Sequence, residues 1–423
     1  MKTKILYTLL LVFFISAAFG QNPNVIGWLK TNTTPIIIEG NQVPTFIDNI
    51  NKIENVRVFG FGEATHHHSE FFKVKSEIFK ELVTKKGVRI FAIEESFGAA
   101  HELNKFLKSN VPGDPKDLLL NFKQKIWPTE EMYQLLRWIK SYNDKQSESE
   151  KITFHGIDTM FNYKIIDILS DLITEANIIL DDDSKSMLKF YAKENFLPNE
   201  KTGVVHNDEK IISTITLLII NSNLNLPKKT EALNSLYALT SYIKYIRKPN
   251  QKDRDEDMAA NVIRILNQNP IDSKIFIWAH NEHIKKTYLF NNKIPTMGSL
   301  LSKELGNQYY SVGFEFGIGE LMGLNESGNW EVYTIDKPIK NTESSTTFSR
   351  VREGNYFFDF EHAIKDPTMK SFLQKKSNYV VIGGLGLLLK YVKYSLATEN
   401  YLDMYNGLIY INNISRSSPI KKS

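Results

Sequence analysis

Seven short apolar runs recur along the chain, and stretches with helical periodicity separate them. Each run is nearly continuous in hydrophobic side chains, which is typical of strands buried on both faces of a parallel sheet. Strands that alternate with helices favour an α/β fold, so we predict a largely parallel central sheet flanked by helices. The seven predicted strands cover residues 56–62, 89–95, 151–158, 274–280, 309–317, 378–384 and 407–413.

The helical patterns suggest how the rest of the chain is organised. A first crossover helix is predicted between Ser69 and Gly87, because apolar side chains recur there at helical spacing and glycine is a typical helix end. Between about residues 160 and 250 helical runs continue without a convincing strand, and we interpret this region as a helical insertion. Residues 145–151 and 353–358 are predicted to be surface connections. We expect one domain over residues 21–423.

Residues 1–20 have the pattern of a secretory signal peptide. Lys2 and Lys4 precede an apolar run, and small residues follow around Ala17 and Ala18. The run is shorter than the roughly 20 apolar residues of a membrane span, and no later segment has that length and character. We therefore expect an exported protein, periplasmic or secreted, with no membrane span after signal removal. Because the sequence contains no cysteine, it forms no disulfides.

The charge balance narrows the kind of partner that we expect. The chain carries 52 lysines and arginines against 48 aspartates and glutamates, a formal net charge of +4, which falls to +2 without Lys2 and Lys4. Such a small excess favours neither nucleic acid nor an anionic membrane as a partner. The sequence does not predict an oligomeric state.

Titratable side chains gather at the ends of the predicted strands. Ligands of open parallel sheets bind beyond the carboxyl ends of the strands, so these side chains should meet. A carboxylate that holds a histidine prepares it to accept a proton near neutral pH, which makes Glu63 and His66 a candidate pair. The full set is Glu63 with His66 to His68, Glu94 with Glu95, His155 with Asp158, His280 with His283, and Glu315.

Lys75 is an unusual residue of the first predicted helix, because its position falls within the apolar stripe. A lysine that faces a core needs an anionic partner or a wet cavity, and Glu63 or Glu94 could supply the charge. The alternative is that its long apolar stem lies along the core and the ammonium reaches solvent at the helix end. The sequence leaves both interpretations open.

Three groups of motifs resemble the erythromycin esterase family. GFGEATHHHSEF followed by GVRIFAIEES is similar to the N-terminal signature of that family and contains Glu63, His66 and Glu94. WAHNEH is similar to a later family element and contains His280 and His283, and RDEDMAANV before it is also similar. The motifs occur in the family's order over most of the chain, and their combination is more specific than any one of them.

The resemblance implies a catalytic domain that hydrolyses a carboxylic ester, including macrolide lactones such as erythromycin. His66 would be the general base that activates water, and Glu63 and Glu94 would orient it. His280 would stabilise the oxyanion or protonate the leaving alcohol. No metal, cofactor or covalent nucleophile is implied. Supporting or substrate-binding roles would fall to Lys75, His283, Asp158, Glu315 and Arg254.

One position departs from the family pattern. Lys75 stands where the family usually has an arginine, which keeps the positive charge but loses the planar fork of donors. This difference affects the expected substrate more than the expected type of reaction.

Other functions compete with the esterase interpretation. The same histidines and carboxylates could serve a metal-dependent hydrolase or a metal- or haem-binding protein, or they could recognise a ligand without catalysis. A serine hydrolase is disfavoured because the sequence lacks G-x-S-x-G. The stretch GFGEAT is only part of a nucleotide-binding loop, since its last position is Thr65. We interpret Gly60 and Gly62 as residues that allow a tight turn beside the site.

Overall fold

The structure is a computed structural model, described here for residues 22–38, 46–50, 53–193, 207–289, 293–324, 330–351, 354–382 and 396–420. The predicted signal peptide, residues 1–20, lies outside these ranges. The strands are β1 (Thr34–Ile36), β2 (Val58–Phe61), β3 (Ile90–Ser96), β4 (Thr153–Asp158), β5 (Ile275–Trp278), β6 (Tyr309–Leu324), β7 (Trp330–Ile335), β8 (Asn355–Asp359), β9 (Ser377–Val380), β10 (Leu396–Glu399) and β11 (Gly407–Ile414).

Helices fill most of the chain between the strands. They are α1 (Pro23–Asn32), α2 (Ser69–Lys86), α3 (Phe97–Lys108), α4 (Lys116–Leu120), α5 (Glu130–Asn143), α6 (Ile165–Glu175), α7 (Asp182–Tyr191), α8 (Asp208–Ile220), α9 (Leu226–Arg247), α10 (Gln251–Asn267), α11 (Asn281–Ile284), α12 (Met297–Leu305), α13 (Glu343–Thr346), α14 (Phe360–Ala363), α15 (Pro367–Gln374) and α16 (Tyr401–Met404). Gly87 ends α2 in the left-handed conformation, with φ of 69°, as its sequence position predicts.

Nine strands form one central sheet in the order β1-β8-β11-β6-β2-β5-β3-β4, with β7 paired to β6. The neighbouring strands from β11 to β4 run parallel to one another. β1, β7 and β8 pair antiparallel at one side. The prediction of a largely parallel α/β sheet flanked by helices is therefore confirmed, and the carboxyl ends of β2, β3, β4, β5 and β6 lie along one edge.

The central strands are largely apolar because helices cover both faces of the sheet, and most of their polar residues lie towards their carboxyl ends. On β5, Phe276 and Trp278 contribute to a core shared with α2, α3 and α5, whereas Ile275 and Ile277 face a core shared with α1, α10 and α12. This alternation follows from the two-residue period of a strand, which points successive side chains to opposite faces. Because both faces of β5 are buried under helices, its side chains are apolar on both faces.

The region between β4 and β5 is helical. Helices α6 to α9 pack around a core of their own, which includes Leu169, Ile215 and Leu239. The described part of residues 160–250 contains no strand. None of the described helices is both long and apolar enough to cross a membrane.

Two sequence predictions are wrong in detail. Residues 353–358 are predicted as a surface connection, but Asn355–Asp359 is β8, whose last four residues are buried within the sheet. β8 is short and pairs antiparallel with β1 and β11, so it does not need the crossover helix by which we recognised the parallel strands in the sequence. The predicted strand 378–384 is only partly a strand: β9 pairs with β10 in a separate two-stranded sheet, and residues 383 and 384 lie outside the described ranges.

Replacing Phe91 with alanine should lower the free energy of unfolding by about 3–5 kcal/mol, because a buried phenylalanine leaves a cavity that its neighbours fill only partly. Phe91 is fully buried on β3, and its ring centroid lies 4.9 Å from those of Phe79 and Phe154. Urea unfolding followed by circular dichroism measures the change. The control is Ile271→Ala at a side chain that is 85% exposed. Equal effects of the two substitutions would contradict this account of the core.

Candidate active site

Glu63, His66 and Lys75 form one buried group at the carboxyl end of β2. His66 Nδ1 lies 2.5 Å from Glu63 Oε1, and Lys75 Nζ lies 2.8 Å from Glu63 Oε2. Glu63 and Lys75 are fully buried, and the Lys75 ammonium also lies 4.1 Å from the centroid of the Trp278 ring. Lys75 on α2 therefore faces the site, and the alternative that its ammonium reaches solvent is wrong.

The charge of Glu63 determines how the His66 ring is protonated. Burial disfavours a charged carboxyl, but the Lys75 ammonium and the His66 ring outweigh burial and lower the pKa of Glu63 to about 2. An ionised carboxylate only accepts hydrogen bonds, so His66 Nδ1 carries the hydrogen and donates it. The lone pair of the neutral imidazole is then on Nε2, which has no partner among the described residues.

Glu94, at the end of β3, connects the ends of β5 and β4, the latter through Arg254 on α10. Its Oε2 accepts the backbone N–H of His280 at 2.9 Å, and its Oε1 accepts Arg254 Nη2 at 2.7 Å. Arg254 also forms a bidentate pair with Asp158, with distances of 2.9 Å from Nε to Oδ1 and 2.7 Å from Nη2 to Oδ2. Such planar pairs fix geometry as well as charge. Glu94, Asp158 and Arg254 are thus assembled as one network.

His283 on α11 is held between two carboxylates. Its Nδ1 lies 2.8 Å from Asp255 Oδ1, and its Nε2 lies 3.2 Å from Glu94 Oε1. Burial alone would lower its pKa, but Asp255 and Glu94 raise the pKa of His283 to about 10. Burial opposes ionisation of Glu94 too, but His283 and Arg254 hold its pKa well below its ordinary value. Arg254 Nη1 lies 3.1 Å from His283 Nε2 and opposes a positive charge on the ring, but the two carboxylates outweigh it. His283 is therefore an imidazolium at neutral pH.

His280 is a neutral imidazole with both ring nitrogens engaged. Its Nε2–H donates to the backbone oxygen of Ile382 at 3.0 Å, and its Nδ1 accepts the backbone N–H of Glu282 at 3.2 Å. Burial, assisted by nearby His66, lowers the pKa of His280 to about 3. The ring centroids of His280 and His66 are 5.1 Å apart, so the two rings are neighbours. They differ in their partners, because His66 contacts a carboxylate and His280 contacts backbone groups.

Asn281 joins these strand ends through backbone contacts. Its backbone N–H donates to the carbonyl of Glu63 at 3.0 Å, and its side-chain amide exchanges two hydrogen bonds with the backbone of Phe314. A Cβ on Gly62 would overlap Asn281 Oδ1, and one on Gly60 would lie 2.7 Å from the Tyr309 hydroxyl oxygen. The glycines thus permit close packing, and the prediction that they allow a tight turn is wrong.

A model of the erythromycin esterase family matches residues 83–414. This chain belongs to the erythromycin esterase family. The matched range includes Glu94 and His280 and begins after Glu63 and His66. Membership of this family indicates hydrolase activity on a small-molecule substrate.

Individual relatives are distant in sequence but similar in length and fold. The YbfO protein of Bacillus subtilis (strain 168) is 20% identical over 93% of this chain and 92% of its own. Erythromycin esterase type II of Escherichia coli is 24% identical over 64% of this chain and 72% of its own. A crystal structure of a succinoglycan biosynthesis protein superposes with a TM-score of 0.76 and 22% identity, covering 94% of this chain and 98% of the other.

A mutant of erythromycin esterase EreC, solved in its open conformation, shares the fold as well. The TM-score is 0.63 at 17% identity, and the match covers 92% of this chain and 99% of the other. Together with the crystal structure above, it confirms the fold class.

Glu315 lies in a cluster separate from Glu63 and Glu94, and His155, whose Nε2 lies 3.0 Å from Thr153 Oγ1, is also apart from them. Glu315 lies on β6, where its carboxylate accepts Ser344 Oγ at 2.9 Å and the Tyr401 hydroxyl at 3.0 Å. Burial raises its pKa to about 7 despite these donors. Among the described residues, no contact joins the Glu315 side chain to Glu63 or Glu94, or to the histidines of the site (His66, His280 and His283). The strand-end rule selects the correct edge of the sheet but does not select the face on which a side chain points.

Three residues of the site were not predicted from the sequence as functional. Asp255 holds His283, Trp127 lies against the His66 ring with centroids 6.0 Å apart, and Gln124 donates to Asp158 Oδ2 at 2.6 Å. Asp255 directly follows Arg254 in the RDEDMAANV motif, so the resemblance that indicated Arg254 could also have indicated Asp255. Trp127 and Gln124 lie on a connection before α5, and only the folded chain brings them here.

The described residues do not assemble a set of metal ligands. No group of three or more histidine and carboxylate side chains among them has the arrangement of a metal site. His66 Nδ1 is engaged by Glu63, and both nitrogens of His280 are engaged by backbone groups.

His283 should make the stability of the protein decrease between pH 7 and pH 9. The pKa of His283 is about 10 in the folded protein, against an ordinary value of 6.5. The stabilisation that its positive charge gives to the folded state is therefore complete below pH 6.5 and is lost as the pH rises towards 10. The loss should be about 2 kcal/mol between pH 7 and 9. In His283→Gln the loss should shrink by this amount in urea unfolding. His155→Gln is the matched control, since burial lowers the pKa of His155 to about 4 and both states are largely neutral above pH 7.

Proposed function

We propose that this protein hydrolyses a carboxylic ester by adding water, with His66 as the general base. The observation that carries the proposal is the hydrogen bond of 2.5 Å between His66 Nδ1 and the ionised Glu63. A carboxylate in that position fixes the tautomer of the ring and stabilises the imidazolium that forms during proton transfer. The free lone pair of Nε2 can then accept a proton from water.

The proposed reaction needs only His66 to move the proton. Nε2 removes a proton from water as the water oxygen bonds to the ester carbonyl carbon, and the carbonyl electrons move to the oxygen. When the tetrahedral intermediate collapses, the C–O bond to the alcohol breaks and Nε2–H returns the proton to the leaving oxygen. The products are a carboxylic acid and an alcohol, and atoms and charge balance.

Two sets of ion pairs surround His66. Glu63 pairs with Lys75, and Glu94 pairs with Arg254 and His283. The Glu63 carboxylate is the charge in contact with His66 Nδ1, so it stabilises the imidazolium that forms when Nε2 accepts a proton.

We assign proton return to His66 and not to His280. His280 is a neutral ring whose pKa burial lowers to about 3, so it has no spare proton at neutral pH. Its Nε2–H could stabilise an oxyanion only by leaving the carbonyl of Ile382. His280 therefore supports the site, and Glu94 fixes its backbone.

The substrate class is the finer part of the proposal. The family resemblance supports macrolide lactones such as erythromycin, but a fold does not determine a substrate. Lys75 supplies one bond to Glu63, where an arginine could donate to two acceptors at once. We therefore propose an ester whose contacts near α2 differ from those of the family's macrolide. Export through the segment 1–20 is part of the same proposal and would place the reaction outside the cytoplasm.

The decisive experiment incubates the purified protein with macrolides and simple carboxylic esters and follows addition of water by mass spectrometry. His66→Gln should lower kcat for the best substrate by about 10²–10⁴-fold, because general-base catalysis contributes that much. Substrate binding, measured by calorimetry, should persist. His362→Gln, at an exposed histidine, is the control and should keep full activity. An ester that His66→Gln hydrolyses at the wild-type rate would refute the assignment.

Chelation tests the competing metal-dependent mechanism. Dialysis against EDTA, followed by assay in metal-free buffer, should leave kcat within twofold of its starting value. Elemental analysis of the same sample gives the metal content. Loss of turnover that one equivalent of a divalent metal restores would overturn the metal-independent mechanism.

A further inference from the structure

The segment Ser415–Ile420, which we call the strap, crosses the loop that carries His66. The Ser417 N–H donates to the carbonyl of His67 at 2.8 Å, and the Ser69 N–H donates to the carbonyl of Ser415 at 2.9 Å. Arg416 and His68 form an isolated antiparallel bridge between these bonds. The strap thus pairs with the backbone that immediately follows His66 and satisfies an N–H that α2 cannot satisfy itself.

The strap also pairs with a second loop of the site. The Glu130 N–H donates to the carbonyl of Ser418 at 2.7 Å, and the Ile420 N–H donates to the carbonyl of Pro128 at 3.2 Å. This loop carries Trp127, whose ring is nearly perpendicular to that of His66 at a centroid distance of 6.0 Å. One short segment therefore joins the loop that carries His66 to the loop that carries Trp127.

Side chains fix the strap in place. The carboxylate of Glu70 accepts the backbone N–H and the hydroxyl of Ser415, both at 2.6 Å, and Arg416 Nε lies 2.8 Å from Glu320 Oε2. Ser417 and Ile420 are buried, and Ile420 belongs to the core beneath α2. These contacts place the strap among the ordered parts of the site.

The backbone beneath the strap adopts a conformation that needs external support. His67 has φ of 68°, in the left-handed region, which costs a residue other than glycine of order 1 kcal/mol or more. Such a conformation persists when its surroundings impose it. The hydrogen bond from Ser417 holds the carbonyl of His67 and so opposes relaxation of the peptide next to His66.

We propose that the strap positions the general base: it fixes the backbone at His67 and holds Trp127 against the His66 ring, so that Nδ1 stays on Glu63. This inference rests on the proposed function of His66. The strap residues follow residue 414, where the family match ends, so their role is argued from this chain alone. Their effect on catalysis acts through His66, which makes them positioning residues.

The test compares Ser417→Pro with Ser417→Ala. Proline removes the N–H that holds His67. The residue before a proline must be extended, and Arg416 pairs with His68 in an antiparallel bridge, which extended residues form. Alanine keeps the N–H and is the matched control. Ser417→Pro should lower kcat about ten- to a hundredfold, as small displacements of a catalytic group do, with KM within about twofold. A kcat within twofold of that of Ser417→Ala would overturn the proposal.

A spectroscopic readout separates this inference from the proposed function. In protein with ¹⁵N-labelled histidine, the His66 ring should show a single Nδ1–H tautomer in the wild type and in Ser417→Ala, with His66→Gln giving the assignment. Ser417→Pro should show a mixture of tautomers, whether or not any ester is hydrolysed. An unchanged single tautomer in Ser417→Pro would overturn the role of the strap even if the esterase proposal holds.

Ile420→Ala supplies a second variant in case Ser417→Pro fails to fold. It keeps every backbone N–H of the strap and removes only the apolar anchor, so the fold should survive. A severalfold lower kcat and a mixed His66 tautomer are expected. Values identical to those of the wild type in both measurements would contradict the proposal.

Discussion

The buried ion pair between Glu63 and Lys75 is the interaction on which the site depends. A carboxylate with no exposure would normally bind a proton, because burial disfavours its charge. The ammonium at 2.8 Å prevents this and keeps Glu63 an acceptor for His66. The tautomer of His66, and with it the position of the free lone pair, follows from that one charge. α2 must therefore present a lysine on its otherwise apolar face.

A second network is centred on Glu94. Its carboxylate binds the backbone of His280, the guanidinium of Arg254 and the ring of His283, so the ends of β3 and β5 and helix α10 meet at one carboxylate. The two networks use histidine differently. His283 is held as a cation by two carboxylates, His280 is held neutral by burial, and His66 has an ionised carboxylate against one ring nitrogen. Burial and neighbouring charges give the three rings different chemistry.

Backbone contacts complete this arrangement. Gly62 lies so close to Asn281 that a side chain there would collide, and Asn281 links the carbonyl of Glu63 to β6. On the outer side, the strap holds the backbone after His66 and the loop of Trp127. The loop of His66 is thus held from within the sheet and by the strap, which is the preorganisation that the proposed role of His66 as a general base needs.

The sequence by itself determined the α/β class, the parallel strands and the edge of the sheet at which Glu63, His66, Glu94 and His280 meet. These follow from local patterns, because apolar periodicity and strand ends are written in consecutive residues. Only the tertiary structure decided that Lys75 faces Glu63, that β8 enters the sheet, and that Glu315 lies in a separate cluster. Those outcomes depend on which faces pack together and on charges brought close from distant parts of the chain, so Asp255, Trp127 and the strap could not be assigned before the fold was known.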